Sequence, residues 1–420
     1  MRLVNIDDQT LDSFVAASDK SHFMQTSAWG KVAASRGQKV HQLGLYDGET
    51  LKATALLLEK KILYYSSFYC PRGFILDYSE REVLKEMIRE VKNYVKKHRG
   101  LYFRIDPDLI WHKLDEKAEP VESFPENEEI ISFLQEQGAV WKGKTIRFQE
   151  MSNPRFTFRV PLQNDLLAQC HPTTRNIINK HNPYGIHVYK GDANDIDKFY
   201  GVMSETARNK SIYLEPRSFF ADFYTILAKE DKADIWVAEI DIPQLKAYYA
   251  NKEETLQAEL TIAESPEATK KQRSKRNDLL DQLKKIEKEK KELEDIHEDK
   301  VVLSSVINAR FQDKVWIVHG GNSDRLRSLQ GNYELYYRVL EDAKANGLSW
   351  GDLFGTEGKV DKNSDVYGIF LFKFRFGGDF DEFIGEFDFE TRPLTSHLIN
   401  RLLHWRRRLL IRRSVKENQK

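Results

Sequence analysis

The sequence predicts an α+β protein built from two units of like topology, the second of which carries a charged helical arm. Three observations lead there. Strand-rich runs recur in the same order in two halves of the chain. A segment with neither glycine nor aromatic residue, Lys252–Lys300, sits between two such runs. The 420 residues are 40% hydrophobic with 24 Phe and 18 Tyr, enough apolar material for two cores.

In the first half, Val40–Tyr46 reads as a strand, Asp47-Gly48 as a hairpin turn, and Leu51–Glu59 and Lys61–Tyr69 as further strands. Pro71-Arg72-Gly73 follows, then an amphipathic helix over Ser79–His98 and a strand over Leu101–Ile105. The second half repeats the order. Ala233–Ile240, Val301–Arg310 and Lys314–His319 read as strands, Gly320-Gly321-Asn322 as the turn, Tyr333–Asn346 as the helix and Leu348–Phe354 as the closing strand. The expected divisions are a first domain over 1–150, completed by residues of about 385–400, and a second over 151–385.

More than half of the side chains in Lys252–Lys300 are charged. Such a composition cannot form a globular core, but it can form helices along a narrow apolar seam. Leu279, Ile286 and Leu293 are seven apart, as are Leu256 and Ala263, and Ser265-Pro266 would end the first of two helices. The spacing predicts an antiparallel helical hairpin, a coiled-coil arm set into a β-hairpin of the second domain. The alternative is a disordered charged linker. At the other extreme of patterning, Arg401–Lys420 holds eight basic residues and one acidic, interleaved with Leu402, Leu403, Trp405, Leu409, Leu410 and Ile411. A basic amphipathic helix of this kind suits an anionic membrane surface or tRNA phosphates, and a solvated terminal helix is the plainer reading.

Lys+Arg and Asp+Glu are 65 each, so net charge points to no partner. Cys70 and Cys170 are the only cysteines, which argues against a disulfide framework or a cysteine metal site and for a reducing compartment. The N-terminus lacks an apolar signal region, and no run reaches the ~18 apolar residues of a spanning helix. A G-x-S-x-G, a Walker loop, H-E-x-x-H and C-x-x-C are all missing, and no metal is expected.

Candidate chemistry therefore rests on scattered groups. Arg72 lies on a tight turn after a strand, Arg104-Ile-Asp106-Pro107 puts a carboxylate at a strand end, and His319 ends another strand. A turn-forming Asp before Pro and a structural histidine are the ordinary alternatives. His171–His181 reads as a basic helix after Pro172, with Arg175 and Lys180 available to phosphate. Phe370–Phe376 alternates Phe with Leu371, Lys373 and Arg375 and reads as a strand with two cations on one face, costly unless they meet solvent or an anion. Residue patterns alone leave the reaction open.

Several segments in order resemble the FemABX peptidyltransferase family. Phe23-Met-Gln-Thr-Ser-Ala-Trp-Gly-Lys31 is similar to its F-x-Q-[ST]…W opening, and Phe68–Tyr78 to its Y-x-P-R-G-P-[IV]-x-D-Y segment. Arg104–Pro107 is similar to its R-[FIL]-D-P, Pro172–Lys180 to its basic helix, and Lys373 with Ile384–Phe387 to its F-K-x-x-F region. The resemblance runs from about residue 20 to about residue 390, and the arm places the chain with FemA- and MurM-like members. It implies two GNAT-like (acyl-CoA N-acyltransferase-like) domains. It also implies transfer of an amino acid from aminoacyl-tRNA to the stem peptide of a muropeptide precursor such as lipid II. The enzyme would work without a cofactor, in the cytoplasm and peripherally at the inner membrane face. Self-association or partner proteins are left open.

By the same resemblance Lys31 would bind precursor phosphates, Asp106 would orient or deprotonate the acceptor amine, and Lys373 would stabilise the oxyanion or hold the tRNA 3′ end. Arg72 and Arg104 would line the acceptor site, with Arg175, Lys180 and Arg375 on tRNA or phosphate. The family's muropeptide-binding arginine aligns with Glu215, and Arg217, two residues on, is the candidate replacement. His319 stands where FemX-like members have a tyrosine. Two other readings stay in view: a GNAT acyl-CoA transferase, whose pyrophosphate turn is matched only loosely by Arg327–Asn332, and a non-catalytic tRNA-binding scaffold.

Overall fold

The computed structural model describes residues 1–143, 145–147, 151–210, 213–396 and 398. Among them the strands are β1 (Arg2–Asn5), β2 (Lys39–Asp47), β3 (Thr50–Ile62), β4 (Tyr65–Cys70), β5 (Gly100–Ile105), β6 (Ile110–Leu114), β7 (Pro120–Ser123), β8 (Ala139–Trp141), β9 (Phe156–Pro161), β10 (Ile186–Gly191), β11 (Ala233–Asp241), β12 (Lys300–Phe311), β13 (Lys314–Asn322), β14 (Trp350–Thr356), β15 (Asp379–Phe383) and β16 (Phe387–Glu390). They form a seven-stranded sheet, β1-β2-β3-β4-β5-β16-β8, and a nine-stranded sheet, β10-β11-β12-β13-β14-β9-β15-β6-β7.

The repeat expected from sequence is a repeat of topology. β1 to β4 are antiparallel neighbours, and β5, arriving after the helix Arg81–Lys97, pairs parallel with β4. β10 to β13 are likewise antiparallel, and β14, arriving after the helix Gly331–Ala345, pairs parallel with β13. Two helices stand between the first and second strands of each unit: Asp8–Ala17 and Ser27–Ser35 in one, Ile196–Lys210 and Arg217–Ala228 in the other. This is the GNAT-like order, met twice. Chain exchange then ties the units together. β16 joins the first sheet beside β5, whereas β6 and β7 join the second beside β15. A boundary near residue 150 therefore does not follow the sheets, because residues 110–123 belong to the second.

Strands buried on both faces explain the near-continuous apolar runs. In β3, Ala55 and Leu57 pack against the helix Arg81–Lys97, while Leu56 and Leu58 face a core shared with the second unit. In β11 and β12, Ile235 and Ile307 enter that shared core, and Trp236 and Val306 turn to the far side, where Val339 and Leu340 of the helix Gly331–Ala345 lie. Phe219, Phe220 and Phe223 of the helix Arg217–Ala228 complete the shared core with Leu11, Phe23 and Val32 of the first unit. The close approach at Gly321 is part of this packing. A Cβ there would stand 2.6 Å from the backbone nitrogen of Met203 and 2.7 Å from the carbonyl carbon of Val202. Gly321→Ala forces the helix Ile196–Lys210 off the sheet and is expected to cost about 1–3 kcal/mol, read as a lowered midpoint in thermal unfolding.

The arm is a helical hairpin between the paired strands β11 and β12, in place of their turn. Its first helix runs Ile242–Glu264, beginning earlier than the charge pattern suggested because Asp241 accepts from the Gln244 N–H and Pro243 occupies the first turn. It ends before Pro266, and the return helix is Arg276–Glu292. Leu256, Ala263, Leu279, Ile286 and Leu293 form the buried seam. Arg276 pairs with Glu264 near the tip and Lys290 with Glu253 further down, which fixes the antiparallel sense.

One element was misread. Phe370–Phe376 is not a strand; Tyr367–Phe374 is a helix. Aromatics two apart also contain i,i+4 pairs, so both periods are satisfied over so short a run. Phe370 and Phe374 pack on Phe158, and Phe372 and Phe376 on Tyr333 and Tyr336. No helix among the described residues is long and apolar enough to cross a membrane. The basic segment 401–420 lies outside the described residues.

Candidate active site

β4 and β5 are parallel, so both end at the same edge of the first sheet, where Cys70-Pro71-Arg72 and Ile105-Asp106 meet. Asp106 is buried, at 3% exposure. Its Oδ1 accepts from the Arg72 backbone N–H (2.8 Å), and its Oδ2 accepts from the Tyr69 hydroxyl (3.0 Å) and the Asn153 amide (3.0 Å). Asn153 also donates to the Tyr69 oxygen at 2.6 Å. Burial lifts the Asp106 carboxyl to about 6, against the pull of Arg72 and of the hydrogen bonds it accepts. Burial together with the Asp106 charge holds Tyr69 well above its usual range, so it stays a donor.

Arg72 adopts φ +54, a left-handed conformation that non-glycine residues take only when their surroundings impose it. Its guanidinium donates to the Pro154 carbonyl (2.6 Å), lies 4.5 Å over the Phe383 ring and comes within 4.0 Å of Asp106. The turn is pinned from behind by Gln25. Its amide donates to the Pro71 carbonyl (2.5 Å), and its oxygen accepts from the Leu56 N–H (2.8 Å). The F-x-Q-[ST] segment thus supplies a buried positioning residue, Gln25, and a helix cap, Thr26, which accepts from the Trp29 N–H.

Arg104 points to the same edge but is engaged by acids. It binds Asp388 through two bonds (2.7 and 3.0 Å) and Glu386 at 2.9 Å. Glu386 accepts from the Ser152 N–H, which orders the turn that delivers Asn153. Beyond Pro107, Asp108 meets Arg159 of the second unit at 2.6 Å, and Arg159 reaches Asp352 (3.4 Å) and Asp381 (3.8 Å) and lies 4.7 Å over Phe383. Both arginines therefore use one buried ring, from opposite units. Burial pushes Asp108 up, but Arg159 and its neighbours outweigh it and hold the carboxyl well below the carboxylate range.

Lys373 belongs to a neighbouring centre. Its Nζ is buried and donates to the carbonyls of Phe354 (2.9 Å) and Gly355 (2.6 Å) at the end of β14. Burial lowers it to about 7, with the Asp352 charge opposing. On the same helix Phe372 lines a cavity of about 260 Å³ bordered by Lys210, Arg325, Arg327, Gln330 and Tyr333. It lies at the turn between β13 and its following helix, and no carboxylate lines it.

The remaining candidates spread out. Lys31 pairs with Asp8 and Glu230 (3.2 Å each), whereas Arg217 pairs with Asp197 at the opposite end of the helix Arg217–Ala228. They do not form one anion site. Glu215 is matched by Arg36 at 2.6 Å, whose guanidinium also stacks on Phe219. His319 packs edge-on against Phe219, Phe220 and Phe223, and burial drops it to about 4, so it is neutral at physiological pH. Arg175 donates to the carbonyls of Ala168 and Cys170 at the start of the basic helix, and the Arg375 carbonyl accepts from the His171 N–H beside it. Lys180 is exposed on that helix. Tyr69, Asn153, Glu386 and Arg159 carried no sequence assignment. Asn153-Pro154 was a readable turn signal, and Tyr69 and Glu386 lay inside quoted motifs. Among the described residues no metal-ligating cluster occurs.

Two GNAT-like units closed over a buried acid with a perturbed titration define an acyl-transfer architecture. The chain belongs to the FemAB family, whose model matches residues 6–404. The lipid II:glycine glycyltransferase of Staphylococcus epidermidis is 25% identical over 412 residues, covering 96% of each chain. That of Staphylococcus aureus is 25% identical over 417 residues, with the same coverage. The crystal structure of FemX shares the fold with a TM-score of 0.74 at 24% identity, over 95% of this chain and 100% of that one.

Proposed function

We propose that this protein is an aminoacyltransferase that adds an amino acid from aminoacyl-tRNA to the stem-peptide amine of a lipid-linked peptidoglycan precursor. The observation that carries it is Asp106, a buried carboxyl lifted to about 6 at the edge where the two units meet. An attacking amine must be neutral, and a base titrating just below neutral pH accepts its proton while Tyr69 and Asn153 hold the carboxylate in place. Family membership and relatives named for glycyl transfer to lipid II support the acceptor class. The tRNA ester supplies the activation, so the reading needs no cofactor.

The donor belongs on the second unit. Lys210 and Arg327 around the cavity suit phosphates at the tRNA 3′ end, beside Arg325, which Glu298 holds. In its protonated form, which an anionic donor group beside it would favour, Lys373 has three donors and uses two on carbonyls, leaving one for an ester oxygen or phosphate. A peripheral position at the cytoplasmic face of the membrane follows from the lipid-linked acceptor. The same cavity favours one second reading, an acyl-CoA transferase with its pyrophosphate there; a thermal shift on titration with CoA would support it.

The test incubates the protein with lipid-linked precursor and a panel of aminoacyl-tRNAs, glycyl-tRNA first, and weighs the product. One added residue is expected; no mass increase with any donor refutes the proposal. Lys373→Ala is expected to lower transfer at least about 100-fold. Unchanged turnover would remove Lys373 from the chemistry.

A further inference from the structure

The end of the first sheet opposite Asp106 is built unlike the rest of the surface. The turn joining β3 to β4 presents Leu63 at 59% exposure and Tyr64 at 86%. Hairpin turns usually carry Gly, Asn or Asp, which tolerate left-handed backbone and prefer water. Here Leu63 itself sits at φ +57. An apolar side chain is kept outward at a position where its backbone is strained and its exposure is unfavourable.

A second apolar element stands at the same sheet end. Ser66 at the start of β4 donates its N–H to the Arg99 carbonyl and lies opposite Gly100. Thr391, just after β16, donates its N–H to the Leu101 carbonyl, and Arg392 reaches the Lys96 carbonyl at 3.2 Å. The helical turn that begins at Pro393 then exposes Leu394 (88%) and Leu398 (60%), four residues apart and so on one side. Around these leucines lie Lys60, Lys61, Lys96, Lys97, Arg99 and Arg392, with Glu390 among the exposed acids of the rim. None of the six cations makes an ion pair among the described residues. Elsewhere exposed cations are commonly paired, as at Lys31, Arg217 and Arg325.

We propose that this sheet end, with the Leu63–Tyr64 tip and the Leu394–Leu398 turn, docks the protein on an anionic lipid bilayer. Leucine and tyrosine side chains ringed by lysine match the boundary between acyl chains and negative headgroups. Nucleic acid would use the cations but has no partner for exposed leucines. β4 and β5 each hold six residues, which puts the Asp106 cleft roughly 20 Å above the docked face. An extended stem peptide of about five residues spans a comparable distance. The inference extends the lipid-linked acceptor reading but is read without acceptor or turnover, so either can fail alone.

The full chain is sedimented with phosphatidylcholine vesicles, with and without phosphatidylglycerol, at low and high salt. Binding is expected to require the anionic lipid and to weaken with salt. Leu63→Ser with Tyr64→Ser, and separately Lys60→Glu with Lys61→Glu, are each expected to weaken binding about tenfold. Both variants should keep their thermal midpoint. Wild-type binding by both variants would overturn the proposal. So would variants that lose tRNA binding while keeping vesicle binding, since that assigns the face to RNA.

Discussion

Replacing Arg159 by leucine lowers the thermal midpoint by roughly 3–4 °C, and the loss is larger at pH 8 than at pH 5. The size follows from what Arg159 holds together. Its side chain is 20% exposed and meets Asp108, Asp352 and Asp381, one from the first unit's edge and two from the second sheet. Removing one partner of a mostly buried ion network leaves uncompensated charge, worth about 3 kcal/mol when some solvent still reaches the site. Asp381 already has an oxygen with no hydrogen-bond partner, so it has no reserve.

The pH dependence has two contributions of different sign. Asp108 is held below its unfolded value, so it stabilises above that value, and the stabilisation is lost as pH falls through its folded pKa. Without Arg159 that contribution is absent throughout the neutral range. Asp381 is raised by burial to about 7, with Arg159 pulling it down. A raised carboxyl destabilises increasingly as pH climbs from its unfolded value to its folded one. In the variant this climb continues past 7, which widens the gap from wild type toward pH 8. Unfolding followed at both pH values checks this; a midpoint within about 1 °C of wild type at each would show that Arg159 does not hold the units together.

The network also shows what the sequence could and could not disclose. β2 to β5 and their counterparts were readable because hairpins and crossover helices join neighbours in the chain, and period-2 and period-3.6 patterns are local. The arm was readable because its seam repeats every seven residues. Asp106, Arg72 and Arg104 could be placed at strand ends and a tight turn because those are local features too. Arg159 was not, because its partners lie 51 and 193 residues away. Arg104 is held by Asp388 across 284 residues. The Phe370–Phe376 segment failed differently: there two periods fitted the same residues, and packing on Phe158 and Tyr333 decided for the helix. Glu215 stood out only as a departure from a family pattern, and its partner Arg36 emerged from the packing of two helices across the shared core.

Asp106→Asn separates the chemistry from the scaffold. The asparagine oxygen can still accept from the Arg72 N–H, and its NH2, standing where Oδ2 stood, can donate to the Tyr69 oxygen or to an Asn153 amide turned over to accept, so the turn and the edge of β5 are expected to stay in place. What disappears is the group that takes a proton. Transfer at pH 7 is expected to fall by about 10²–10⁴, the usual worth of a positioned general base. In the wild type kcat/KM should rise with an apparent pKa of about 6, because burial places the Asp106 titration there; in the variant that limb should vanish. Stability should move the other way. A carboxyl whose folded pKa exceeds its unfolded value costs stability as pH rises through that window, so by pH 8 the variant should melt no lower than the wild type. Activity lost with stability kept marks a group that acts on substrate. A variant that retains the pH limb and most of its turnover would move the base elsewhere, and one whose inactivity tracks a lowered midpoint would reduce Asp106 to a turn-forming residue.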